Sequence, residues 1–140
     1  MIRNIYILLL LSLSFGTVTD IDGNVYETVQ IGEQLWMAEN LKVTHYNDGS
    51  EIPTGYSNEE WTELETGAYA VYDDDPSNAD IYGNIYNWFV VDDDRGLCPE
   101  GWHVPTDDEW KDFISYLDVD ADQYDGAQES YIAGGMLKDT

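Results

Sequence analysis

The chain has 140 residues, room for one domain at most, and sets 29 Asp and Glu against 5 Lys and Arg for a formal net charge of −24. Such a surface repels phosphate backbones and anionic lipid, which argues against nucleic acid and acidic membranes as partners. With 5 Trp, 11 Tyr and 3 Phe, the chain has apolar bulk enough for a core, which argues against disorder despite the charge.

Residues 1–16, "MIRNIYILLLLSLSFG", carry Arg3 ahead of an apolar run from Ile5 to Leu13, and then the small residues Ser14 and Gly16. That is the layout of a secretory signal peptide. The run falls well short of the about 20 apolar residues that cross a bilayer. No Cys follows it to carry a lipid. The expectation is export, a mature domain over 17–140, a secreted or cell-surface location, and no membrane insertion after cleavage.

From Thr17 the sequence predicts short strands, with "DIDGN" (Asp20 to Asn24) as a hairpin turn and Val25, Val29 and Ile31 as one apolar face. "NDGS" (Asn47 to Ser50) marks a second turn. Ser57 and Glu60 form a capping-box pattern ahead of a short helix. "GAYAVYDDDPSNAD" reads as a strand running into a polar loop. In "IYGNIYNWFVV", Ile81, Ile85 and Phe89 fall four apart, as do Tyr82 and Tyr86, which predicts a buried helix that tolerates Gly83 at a cost of about 1 kcal/mol.

After Pro105 the signals agree on a helix. Thr106 is the N-cap, Glu109 can bond back to it, and Asp107 and Asp108 suit the positive end of the helix dipole. Trp110, Phe113, Ile114 and Leu117 then fall on one apolar face. Trp36, Trp88, Trp102 and Trp110 are expected in the core and Trp61 at the surface, because most Trp in a small fold is buried.

The loop after that helix is the metal candidate. Asp118, Asp120, Asp122 and Glu129 occupy positions 1, 3, 5 and 12 of a twelve-residue loop, the carboxylate spacing with which an EF-hand surrounds Ca²⁺. Position 6, however, is Gln123 where the sharp turn calls for Gly, so a solvated acidic loop competes with weak calcium binding. The acidic runs Asp73 to Asp75 and Asp92 to Asp94 read as exposed loop charge. One Cys and two separated His do not make a zinc site. His103 reads as packed or turn-bonded, and no Ser stands in a nucleophile-elbow context. No catalytic or cofactor-binding residue is named on these grounds.

The blocks "TVTDIDGNVYETVQIGEQLWMAENLKVTHYNDGSEIP", "GAYAVYDDD", "YGNIYNWFVV" and "DRGLCPEGWHVPTDDEW" resemble, in order and spacing, the Fibrobacter succinogenes major paralogous domain, from about Thr17 to the last residue. The resemblance implies an α+β, C-type-lectin-like fold with short antiparallel strands and two main helices. It also implies an exported, non-enzymatic binding or adhesion module for polysaccharide or cell-surface ligands. The family pattern continues past Thr140, so the domain is expected to be truncated. On that pattern Cys98 resembles one half of a disulfide whose partner is absent from this chain. A buried thiol and a bridge between two chains are the other roles open to it. Two rival functions remain. One is a structural surface protein without a specific ligand. The other is an enzyme, since "VPTDDEW" and "GNIYNW" resemble segments of formylglycine-generating enzyme domains. Those segments stand here in the opposite order, without a catalytic cysteine pair.

Overall fold

The computed structural model describes residues 16–124, 127–130 and 132–136. The leader reading of residues 1–16 therefore falls almost wholly outside the described residues. The fold is mixed α and β, with short antiparallel strands in three small sheets among the described residues.

The first sheet is a meander of β1 (Thr17–Thr19), β2 (Val25–Ile31) and β3 (Gln34–Met37), in the order β1-β2-β3. "DIDGN" makes its first turn, as its residue types require. Gly23 takes φ +84°, and the buried Asp20 carboxylate accepts from Asn24 N–H at 2.9 Å, Asn24 Nδ2 at 2.8 Å and Tyr26 Oη at 2.6 Å. Burial and the Asp20 carboxylate together hold the Tyr26 phenol above its ordinary pKa. This network reverses the expected face of β2. Tyr26 and Thr28 point inward, whereas Val25 is 56% exposed. The tyrosine wins the inner position because its hydroxyl reaches a partner there.

β2 and β3 join through Gly32 and Glu33, with Ile31 opposite Gln34, Val29 opposite Trp36 and Thr28 opposite Met37. Ala38 N–H continues the ladder to Glu27 O at 2.8 Å. In an antiparallel pair the backbone groups of alternate residues point to the partner strand. Those of Leu35 and Met37 consequently face the open edge of the sheet.

The core lies mostly under irregular chain. Val43, Tyr46, Ile52, Val90 and Leu97 form one buried cluster, with Leu41, Tyr69, Tyr86 and Val91 packed on it. "NDGS" turns as expected, Gly49 N–H donating to Tyr46 O at 2.8 Å and Tyr46 N–H to Ser50 O at 2.9 Å. Arg95 closes the cluster. Its guanidinium lies 3.7 Å from the Tyr46 ring centre and donates to Asp93 at 2.7 Å and to Ser50 Oγ at 3.0 Å.

Helix α1 (Asn58–Thr62) has the Ser57–Glu60 capping box read from the sequence. β4 (Tyr69–Val71) then runs into 3₁₀ turns at Tyr72–Asp74 and Pro76–Asn78, matching the strand-into-loop expectation. The helix expected over residues 81–91 does not form. The chain makes α2 (Ala79–Tyr82), breaks at Gly83, runs as β5 (Asn84–Tyr86) against β4, and restarts as α3 (Trp88–Val91) on the Asn87 cap. Gly83 sits at φ +70°, ψ −167°, a backbone region essentially closed to other residues. Of the two main helices expected, α4 (Asp107–Leu117) alone is long, and it has the Thr106–Glu109 capping box. It is followed by the hairpin β6 (Asp122–Tyr124) and β7 (Ala127–Glu129), and by α5 (Ala133–Met136). Among the described residues no helix is long and apolar enough to cross a membrane.

Candidate functional site

Three tryptophans, none adjacent in sequence, line one open groove of about 660 Å³. One wall is β3 with the residues after it to Leu41. The other is the run from Gly101 to Pro105 with Glu109 and Trp110 of α4. Phe113, 5% exposed, is the foot of the wall, with its ring 4.5 Å from Trp36 and 5.5 Å from Trp110. Trp36 and Trp110 are tilted against each other at 4.9 Å. Gln34 ties the two walls together. Its Oε1 accepts from Trp36 Nε1 at 3.2 Å, and its Nε2 donates to Glu109 O at 3.1 Å.

This arrangement corrects the expected distribution of tryptophan. Trp36 and Trp102 are half-buried, but Trp110 remains 45% exposed and Trp88 67% exposed. Trp88 opens a four-residue helix of which only Val90 is buried, so the turn has one inward position and Trp88 does not hold it. Trp61, expected outside, is half-buried.

The rim of the groove is acidic. The Glu109 carboxylate accepts from Thr106 N–H and Thr106 Oγ1, both at 2.8 Å, and from His103 Nε2 at 2.8 Å. These donors, the Thr106 backbone N–H foremost, hold its pKa down at about 2. His103 is thus turn-bonded, an addition to the helix cap. Glu33 and Glu39 are exposed on the same groove.

Cys98 lies where this groove meets a second depression of about 410 Å³ formed by Asn47, Val91 and residues 96–104. It is a free, half-buried thiol, and burial pushes its pKa up. Asn47 Nδ2 donates to its carbonyl at 2.7 Å, so the backbone at Cys98 is fixed to the "NDGS" turn.

The carboxylates at EF-hand spacing are spread over the end of α4 and the hairpin after it. Asp118 is the C-cap of α4, and its carboxylate accepts from Asp120 N–H at 3.1 Å and Ser130 Oγ at 2.7 Å. Asp122 and Glu129 stand opposite each other across the β6–β7 hairpin. Among the described residues no group of three His, Cys, Asp or Glu is placed to hold a metal ion.

The other acidic runs are partly engaged in local structure. Asp75 Oδ1 accepts from Ser77 N–H at 3.0 Å and Ser77 Oγ at 2.8 Å, and Asp93 holds Arg95. His45 has a partner that the sequence does not reveal, Asp22 Oδ1 at 2.6 Å from its Nδ1. Burial pushes the Asp22 carboxyl up, but the two Thr44 donors and His45 outweigh it and set it below its ordinary value.

The sequence pattern of the Fibrobacter succinogenes major domain matches residues 29–140. The chain belongs to that family. Comparison with curated proteins and with solved structures gives no match. The matched span includes both walls of the groove, Cys98 and the whole of α4.

Proposed function

We propose that this member of the Fibrobacter succinogenes major domain family is an exported, non-enzymatic binding or adhesion module with a C-type-lectin-like arrangement, and that it takes a polysaccharide or cell-surface glycan in the groove beside β3. The observation that carries the reading is the convergence of Trp36, Trp102 and Trp110 on one open groove, with Trp110 kept nearly half exposed. A small domain ordinarily buries indoles of this size. An indole face that stays open offers apolar area and a polarised π-surface against which the C–H face of a sugar ring can stack. Glu33, Glu39 and the outward backbone of Leu35 and Met37 surround it with groups that accept and donate hydrogen bonds to hydroxyls.

The arrangement is that of a binding groove, mostly apolar with a few placed polar groups. Its rim carboxylate Glu109 is committed to capping α4 and its imidazole, His103, to Glu109. The test is a glycan array probed with the wild-type chain and with Trp110→Ala. Binding to a defined set of glycans that the variant loses is the expected outcome. Silence across the array would favour a structural surface protein without a specific ligand.

A further inference from the structure

The charges around the groove point to the class of sugar it takes, an inference that rests on the glycan reading above. Recognition of uronic acids or sulfated sugars calls for Arg or Lys at the contact, because a guanidinium or ammonium must replace the water lost by the anion. Among the described residues none that lines the groove is Lys or Arg, whereas Glu33, Glu39 and Glu109 are all there. The cations described elsewhere each have a carboxylate partner. Among the described residues the Lys and Arg are Lys42, Arg95 and Lys111. Lys42 is bound to Asp80 at 2.9 Å, Arg95 to Asp93 at 2.7 Å, and Lys111 to Asp107 at 2.6 Å. Among the described residues of the groove His103 can gain positive charge, and it already holds both carboxylate oxygens of Glu109, at 2.8 and 2.9 Å. An anionic sugar brought to Trp110 would meet Glu33 and Glu39, with Lys42 beside Glu39 but already held by Asp80, inside the field of a chain carrying −24.

We infer that the groove selects glycan chains free of carboxylate and sulfate groups, and that Glu33 and Glu39 turn acidic polysaccharides away. The indoles supply affinity that does not depend on sugar charge, and the rim supplies the discrimination. Glu33 and Glu39 are exposed, so neutralising them leaves the walls standing.

The test is calorimetric titration of the full chain with cello- and xylo-oligosaccharides and with oligogalacturonate and alginate oligomers, at low and at physiological salt. The expected result is binding of a neutral oligomer with little salt dependence, and binding of the acidic oligomers weaker by about tenfold at low salt, the gap narrowing as salt screens the rim. The double variant Glu33→Gln, Glu39→Gln, whose amides still bond hydroxyls, narrows the gap at low salt by strengthening the binding of the acidic oligomers. Acidic oligomers binding as tightly as neutral ones at low salt, or a gap that the double variant does not move, would overturn the selectivity and leave the groove as a glycan site. A folded chain that binds neither kind would overturn the glycan reading, and this inference with it.

Discussion

Replacing Gly83 by Ala tests the chain course that separates this fold from a simple helical expectation. At φ +70°, ψ −167° an L-residue is strained by about 1–3 kcal/mol. An added Cβ would also lie 2.6 Å from Asn40 Cβ and 2.7 Å from Leu41 O, and the second of these is backbone that cannot swing aside. Forcing such a contact in a packed site costs typically about 1–3 kcal/mol more. The two together come to roughly 2–6 kcal/mol, a large share of the about 5–15 kcal/mol that holds a domain folded. Two controls separate the contributions. Gly101 has φ +82° with nothing within 4 Å of an added Cβ, so Gly101→Ala carries the conformational strain alone, about 1–2 kcal/mol. Gly67 has no positive φ, but its Cβ would fall 2.1 Å from the buried Tyr46 hydroxyl, so Gly67→Ala carries the collision alone. Urea unfolding followed by tryptophan fluorescence gives the three values. Gly83→Ala is expected to exceed Gly101→Ala by at least about 1 kcal/mol. Equal losses at Gly83 and Gly101 would refute the close approach of residues 40–41, and a stabilised Gly83→Ala would restore the continuous helix.

Four further outcomes follow from particular contacts. Tyr26→Phe removes the hydroxyl shared by Asp20 and Lys42 N–H and is expected to cost about 1–3 kcal/mol in the same unfolding assay, with a cost near zero contradicting the network. Thr106→Ala strips the N-cap of α4 and should cost about 1 kcal/mol. The Glu109 carboxyl, held down at about 2, contributes stability that is complete above the unfolded value of about 4.3 and is lost as pH falls through that window towards 2. Glu109→Gln should flatten the pH dependence of stability there, and an unchanged profile would mean that the carboxylate is not bonded as described. Cys98, half-buried with its thiol pKa raised, should react with a disulfide reagent at neutral pH more slowly than free cysteine. A reaction as fast as the free thiol would contradict its burial, and slowing by a bound oligosaccharide would place that ligand against the groove.

What the sequence discloses here is local. The Ser57–Glu60 and Thr106–Glu109 boxes are legible because donor and acceptor lie three residues apart and the chemistry of the cap is written in those residues alone. "DIDGN" and "NDGS" are legible for the same reason. The run 81–91 misleads because a spacing of four fits a helix, whereas the deciding facts at Gly83 are a positive φ and the close approach of Asn40 and Leu41, about forty residues away in sequence. Treated as a helical residue, Gly83 costs a little; treated as a hinge between α2 and β5, it is required. The pairing of Asp22 with His45 spans 23 residues and leaves no trace in spacing. The groove is concealed by a sound generalisation. Tryptophan on the apolar face of a helix is ordinarily core, and Trp110 does meet Phe113 in a T-shaped contact, but nearly half of it stays exposed. A signal was present in the crowding of Trp102, His103, Pro105 and Trp110 into nine residues with no apolar run to bury them.

The most direct measurement of the groove's role is the shift of the five indole N–H resonances in a ¹H–¹⁵N spectrum as a neutral oligosaccharide is added. Trp102 and Trp110 should move together with Trp36, while Trp61 and the more exposed Trp88, outside the groove, stay in place. Movement of Trp88 with the groove indoles unmoved would put the ligand elsewhere on the surface and contradict the account.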